Sequence, residues 1–369
     1  MMESRELWQI VRARVAVFDP TLTIALGLLA AMSLVTMYSA AYDFPGRFDG
    51  HLRNLLVALV VLWVAANVPP SWMMRVAVPL FLAGVALLIA VALFGDISKG
   101  ARRWLNLGFG RVQPSELMKI AMPLMLAWYF QRREGGVRWF DFAIAGVLLA
   151  VPVMLIARQP DLGTSVLVFA AGAAVIFLAG LSWKVIALLM AGVASAAPVL
   201  WTLMHDYQRQ RVLMLVDPSS DPLGKGFHII QSTIAVGSGG LWGKGWMQGT
   251  QAHLEFIPER TTDFIFAVFS EEFGLAGNLC LLVVYLVLIS RGFMISAQAS
   301  SEFTRLLAGA ITLIYFVYAF VNMGMVSGIL PVVGVPLPLM SYGGTAMVTL
   351  ALGAGLLMSI QRNRKLVQT

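Results

Sequence analysis

The sequence predicts an all-α fold: a polytopic transmembrane bundle of about ten spans, with one large outer loop before the eighth. Three observations carry this. Of the 369 residues 59% are hydrophobic and 12% charged, and the mean hydropathy of +0.80 excludes a soluble globular class. Apolar runs of about 20 residues, each able to cross a hydrocarbon core of roughly 30 Å, recur along the chain. The 34 glycines and 11% aromatic content suit close-packed helices with interfacial Trp and Tyr, not the short alternating segments of a membrane β-barrel.

The first run, 20–40, follows Arg5, Arg12 and Arg14 and ends near Ser39, Ala40 and Ala41, the outline of a signal peptide. Its length and the later runs make an anchor the expectation. Runs at 52–67 and 76–94 follow, then a short loop, 96–115, bearing Lys99, Arg102, Arg103 and Arg111. Such a loop suits either anionic headgroups or a phosphate-bearing ligand.

The run 116–130 opens on Q-P-S-E-L-M-K, where Pro114 fits a helix start and Glu116 and Lys119 share a face. Ionisable groups at membrane depth are costly unless paired or in reach of water, so an ion pair facing a cavity is expected. A staple between helices is the alternative. Runs at 142–157, 164–181 and 185–203 complete the first seven.

Residues 204–263 form the longest stretch without a span, rich in polar groups and in glycine (G-S-G-G-L-W-G-K-G-W, Gly237–Trp246). Phe227, Ile230, Ile234 and Leu241 recur at helical spacing, which predicts a short helix lying flat on the bilayer. The glycine run lacks the Gly-Lys-Ser/Thr ending of a nucleotide loop.

The run 264–290 is preceded by I-P-E-R-T-T-D. Asp263 is either a helix cap or a reactive carboxylate, and Arg260 beside it could hold an anionic substrate. Glu271 and Glu272 lie further along the same helix and point to different faces, so at least one should be interior. After 304–323, the segment P-L-P-L-M-S-Y-G-G-T, which contains Ser341, interrupts the pattern before 341–360. A break of that kind exposes backbone groups and lines a cavity.

The net charge of +7 is spread between runs and forms no long basic tract, so a membrane is expected as partner and nucleic acid is not. Basic residues at both ends predict cytoplasmic termini, although the outer loops carry nearly as many. Cys280, the one cysteine, reads as packing in an apolar run. The four histidines lack metal-ligand spacing. No metal ligands and no cofactor are assigned; Asp263 and the glutamates could take a divalent cation but form no diagnostic set.

Together, R-R-W-L-N-L-G-F-G-R-V-Q-P-S-E-L-M-K (Arg102–Lys119), R-Q-P-D-L-G-T-S, F-I-P-E-R-T-T-D-F-I-F, Asn322 and P-L-P-L-M-S-Y-G-G-T resemble the shape, elongation, division and sporulation family, most closely its RodA branch, over nearly the whole chain. The resemblance implies a single-domain peptidoglycan glycosyltransferase of the bacterial inner membrane, used in elongation and rod-shape maintenance. It implies polymerisation of lipid II on the outer face, with inversion and loss of undecaprenyl pyrophosphate, beside a class B penicillin-binding protein transpeptidase. It implies that Asp263 is the essential carboxylate, that Glu116 and Lys119 are the buried pair at the central cavity, and that Arg102 and Arg103 belong to the basic outer loop. A lipid II flippase and a non-catalytic scaffold are the rival classes.

Overall fold

The computed structural model describes residues 17–98, 101–106, 111–133, 136–204, 209, 213, 225–253, 257 and 259–364. Each apolar run coincides with a helix to within a few residues. The chain runs α1 Pro20–Ala40, α2 Arg47–Ala66, α3 Pro70–Phe94, α4 Pro114–Gln131, α5 Trp139–Arg158, α6 Leu162–Leu178 and α7 Trp183–Leu203. Then come α8 Lys225–Ser238, a single turn at Thr250–His253, α9 Ile265–Ala297, α10 Glu302–Val326 and α11 Gly344–Arg362. Among the described residues α1, α2, α3, α5, α9, α10 and α11 are long and apolar enough to cross a membrane. α6 and α7 are shorter apolar helices, and α4 carries the Glu116 and Lys119 charges.

Small residues and caps set the packing. α2 lies so close to α11 that a Cβ on Gly355 would sit 2.4 Å from the Leu62 carbonyl oxygen. Asp19 caps α1 by accepting from Leu22 N and also takes Arg291 of α9 at 2.6 Å. α10 begins with a Ser301–Thr304 capping box, and its Phe303 N donates to Gln131 Oε1 at the far end of α4. At the other end of the pair, Lys119 of α4 meets Tyr318 of α10. α4 and α10 are therefore antiparallel neighbours.

Three features depart from expectation. The basic loop is not irregular: β1 Asp96–Ser98, β2 Ala101–Asn106 and β3 Arg111–Val112 form a small antiparallel sheet, so the fold is a helical bundle with one β-ribbon. Cys280 is exposed on the outer surface of α9 instead of packed inside. α8 does form, but it buries Ile229, Ser232 and Ala235, with Ser232 Oγ donating to Val326 O, while Ile234 and Leu241 stay exposed.

α9 is broken at Gly274, whose φ of 62° and ψ of −161° suit essentially only glycine. The glycine loop after α8 fills the break: Leu275 N and Ala276 N donate to Gly240 O and Leu241 O, and Lys244 N and Gly245 N donate to Glu271 O and Glu272 O. Gly243, at φ 80°, comes so close that a Cβ would lie 2.0 Å from Glu272 O. Gly274→Ala should cost about 1–3 kcal/mol from backbone strain alone. A larger loss of detergent thermal stability is expected from Gly243→Ala, and none from Gly237→Ala, where a methyl meets nothing within 4 Å.

Candidate active site

Asp263 sits half-buried just before α9. It is not the cap: Phe264 occupies the N-cap position and makes no side-chain cap bond. Thr262 turns its hydroxyl back to Glu259 O and Oε2, closing the preceding turn. The segment is held from below by Asn322 of α10, fully buried, whose Nδ2 donates to Asp263 O at 2.8 Å and Val335 O at 2.7 Å. Gly334, at φ 73°, packs beside the carboxylate, so closely that a Cβ would be 3.3 Å from Asp263 Oδ2.

Lys119 and Glu116 lie one turn deeper along α10, because Tyr318 precedes Asn322 by four residues, about 6 Å. Lys119 Nζ, with its residue only 2% exposed, donates to Glu116 Oε1 at 2.6 Å and Tyr318 OH at 2.5 Å. Thr349 of α11 donates to Glu116 Oε2 at 3.3 Å. The expected pair exists, and Tyr318 and Thr349 tie it to three helices. Its partner Tyr318 lies one helical turn from Asn322, the residue that holds the Asp263 carbonyl.

The basic ribbon reaches the same place by a second route. Arg103 Nη2 donates to Pro160 O at 2.6 Å, and Gln113 Nε2 donates to Asp161 Oδ2 at 3.0 Å. Asp161 caps α6, and Gly163 in its first turn abuts Val333 O, the residue before Gly334. Arg102 is exposed on the ribbon. Sequence spacing could not join 102–119, 158–165 and 333–335; their contacts do.

Arg260 and Ser341 are placed differently from a freely presented binding group. Arg260 is 3% exposed, pairs with Asp43, donates to Ala40 O at 3.0 Å and stacks over Phe44 at 4.9 Å. Ser341 Oγ accepts from Leu337 N at 2.8 Å, closing the Pro336–Thr345 turn. Tyr342 N then donates to Thr261 O at 2.8 Å, which docks that turn onto the Asp263 segment. His228 of α8, one of the four histidines without metal-ligand spacing, lies tilted against Phe264 with ring centroids 6.1 Å apart. Burial holds its imidazole below the ordinary range, and the Glu259 carboxylate opposes that.

The expectation that at least one of Glu271 and Glu272 is interior holds for both. Glu271 accepts from Lys244 Nζ at 2.6 Å, Thr250 Oγ1 and Gln251 N; Glu272 accepts from Ser39 of α1. Among the described residues no group of three or more His, Cys, Asp or Glu is arranged to hold a metal ion.

The sequence matches the FtsW/RodA/SpoVE family of cell cycle proteins over residues 15–366. It is 53% identical over 350 residues to the peptidoglycan glycosyltransferase MrdB of Escherichia coli (strain K12), covering 95% of each chain. It is 34% identical over 362 residues to a probable peptidoglycan glycosyltransferase FtsW of Geobacter metallireducens, covering 94% of this chain and 96% of that one. The fold superposes on the rod shape determining protein RodA of Thermus thermophilus with a TM-score of 0.71 at 27% identity, covering 94% and 97%. A chain from a study of how a peptidoglycan synthase complex coordinates polymerization and crosslinking superposes with a TM-score of 0.82 at 32% identity, covering 95% and 99%.

Removing one partner of the buried pair strands the other. Lys119→Met or Glu116→Gln alone should each cost about 3–5 kcal/mol. The double variant should regain most of that, as read by thermal unfolding in detergent. Equal stability of the single variants and the native chain would contradict a coupled pair. Asn322→Asp keeps the shape but removes both amide N–H donors, so it should lower stability and raise protease sensitivity at 259–264.

Proposed function

The chain belongs to the FtsW/RodA/SpoVE family and is a peptidoglycan glycosyltransferase of the inner membrane, and on that premise we propose that Asp263 is its catalytic base. The observation that carries the reading is the placement of a half-buried carboxylate at the head of a broken helix, its backbone held by Asn322 of the same helix whose Tyr318 takes the buried Glu116–Lys119 ion pair. The substrate class is lipid II, whose sugars meet that carboxylate while the prenyl tail stays in the bilayer.

In one displacement the Asp263 carboxylate takes the proton of the acceptor hydroxyl, and that oxygen forms a bond to the donor anomeric carbon. The bond to pyrophosphate breaks and its electron pair leaves with undecaprenyl pyrophosphate. An α-linked donor becomes a β-linkage by this single inversion, with no glycosyl-enzyme intermediate. Arg102, on the exposed ribbon, supplies positive charge for the leaving pyrophosphate. Arg103 and Arg260 act by holding the loops: one anchors the ribbon to Pro160, the other anchors the Asp263 segment to Asp43. Glu116 and Lys119 shape the cavity floor, and Ser341 holds the turn docked on Thr261. We assign no cofactor; polymer formation in chelator tests for a divalent cation on the pyrophosphate.

The partner we propose is a class B penicillin-binding protein transpeptidase, in keeping with the similarity to a chain from a polymerization and crosslinking complex. The proposed orientation puts both termini in the cytoplasm and residues 204–263 outside. An impermeant thiol reagent on spheroplasts should label a cysteine at position 220 and spare one at 366.

Asp263→Asn keeps size and removes the charge and the proton-accepting capacity. Loss of a positioned base costs 10² to 10⁴ in rate, so glycan polymer from purified protein and lipid II should nearly vanish while lipid II binding persists. The assay in detergent has no leaflets, so flipping has no meaning there. Equal polymer from both proteins would remove Asp263 from the mechanism. None from either, with an active partner present, would favour a flippase or a scaffold.

A further inference from the structure

The loop between α4 and α5 lies at the end of the bundle opposite Asp263. Asp263 is tied to Asn322 near the end of α10, whereas Gln131 at the end of α4 bonds the first turn of α10. There, a pocket of about 290 Å³ is lined by Arg132, Arg133, Gly136, Arg138, Phe140 and Asp141. None of these residues takes part in the site described above.

The three guanidinium groups are not equivalent. Arg133 is spent on the fold: its Nε pairs with Asp141 Oδ1 at 3.0 Å and its Nη2 donates to Tyr129 OH at 3.0 Å. Asp141 is saturated in turn, accepting also from Tyr129 OH at 2.8 Å and from Arg138 N at 2.9 Å. Arg132 stacks over Trp128 at 5.3 Å and Arg138 over Phe140 at 5.9 Å; among the described residues neither guanidinium forms an ion pair, although the Asp141 charge, already taken by Arg133, also acts on Arg138 at longer range. Stacking fixes the planes of both groups and leaves their N–H edges for an anion. Glu134 lies outside the described residues; with it counted, segment 132–141 still carries a net positive charge.

A second cavity begins beside this pocket. It measures about 980 Å³, lies between α5, α6 and α7, and is lined almost wholly by apolar side chains, including Trp139, Phe142, Phe177, Trp183 and Leu189. α7 stands off the bundle, with Leu188, Leu189, Met190 and Val193 all more than half exposed. The cavity starts at the same helix ends as the arginine pocket, because Trp139 lines the one and its neighbour Phe140, 6.3 Å away between ring centroids, lines the other. From there it runs into the membrane along α5 as far as Met154.

We propose that the Arg132–Arg138 pocket and the groove under α7 together bind one anionic phospholipid of the leaflet opposite the Asp263 face. The phosphate sits between the two stacked guanidinium groups and the acyl chains fill the groove. A free phosphate would use the pocket and leave the groove unexplained, and a zwitterionic lipid would use the groove and leave the two stacked guanidinium groups unexplained. The lipid couples α7 to the bundle at a place where the protein's own side chains leave a gap.

The test uses the full chain, delipidated in detergent, titrated with phosphatidylglycerol, phosphatidylcholine or inorganic phosphate, with binding read by native mass spectrometry and thermal shift. Phosphatidylglycerol should bind and raise the unfolding temperature, and the other two should not. The double variant Arg132→Gln and Arg138→Gln should bind it roughly thirtyfold more weakly, from the loss of two membrane-surface charges. Gly146→Trp, which fills the groove at a position where a Cβ meets nothing within 4 Å, should weaken binding with every charge intact. Unchanged binding in either variant would overturn the proposal, as would equal affinity for phosphatidylcholine or for inorganic phosphate. Polymer formation by the detergent-solubilised variants should match the native chain, which separates this site from the one at Asp263.

Discussion

Lipid offers no hydrogen bonds, so every backbone amide and carbonyl released inside the membrane has to be paired by the protein itself. The break at Gly274 releases such groups within α9, and the arrangement of the Asp263 end follows from pairing them. The loop from Gly239 to Gly245 supplies the partners, and it can approach only because Gly239, Gly243 and Gly274 carry no Cβ. Having docked, the loop brings Lys244 onto Glu271 and Trp246 Nε1 onto Val35 O of α1. The upper piece of α9, with Asp263 at its head, is thus held by α1, the loop and α10 together.

That support lets a carboxylate stand where it does. A side chain on a free loop would be mobile, and one in the bundle interior would be driven to neutrality by burial. Asp263 lies between these extremes: half-buried, with its backbone carbonyl held by Asn322 and its side chain against Gly334. The charge below it is balanced before any substrate arrives, since Lys119 is matched by Glu116 and shared with Tyr318. On the proposed reading, a floor of that kind would present polar groups without a net cation to trap an anionic product.

Much of this was legible in the amino-acid sequence, and the reasons for the remainder are specific. Hydropathy finds α1 to α7 and α9 to α11 because the bilayer imposes a length scale on apolar helices, whereas α8 is read from helical spacing. Glu116 and Lys119 stand out because charge is costly there, and their spacing alone gives the ion pair. Tyr318 and Thr349, which complete that cluster, leave no such mark: a buried Tyr or Thr in an apolar run reads as packing until its partner is known. The β-ribbon was missed because two- to six-residue strands carry little period, and Arg103 to Pro160 is a contact between segments 57 residues apart. Glu271 and Glu272 were read by helix geometry as facing apart, which they do, but the glycine loop folds over the second face and buries both.

The sites at the two ends of the bundle are built on one principle with opposite outcomes. At the Asp263 end, Arg260 and Arg103 are consumed by backbone carbonyls and by Asp43, so their charge goes into fixing loops. Arg102, by contrast, is exposed on the ribbon. At the other end, among the described residues, Arg133 is consumed by Asp141 while the guanidinium groups of Arg132 and Arg138 stack on aromatic rings. A guanidinium fixed by a ring and lacking a carboxylate is a preorganised anion site, whereas one fixed by an acidic partner is a structural strut. Counting arginines along the sequence cannot separate the two; the difference lies in whether the fold returns an acidic or carbonyl oxygen to each.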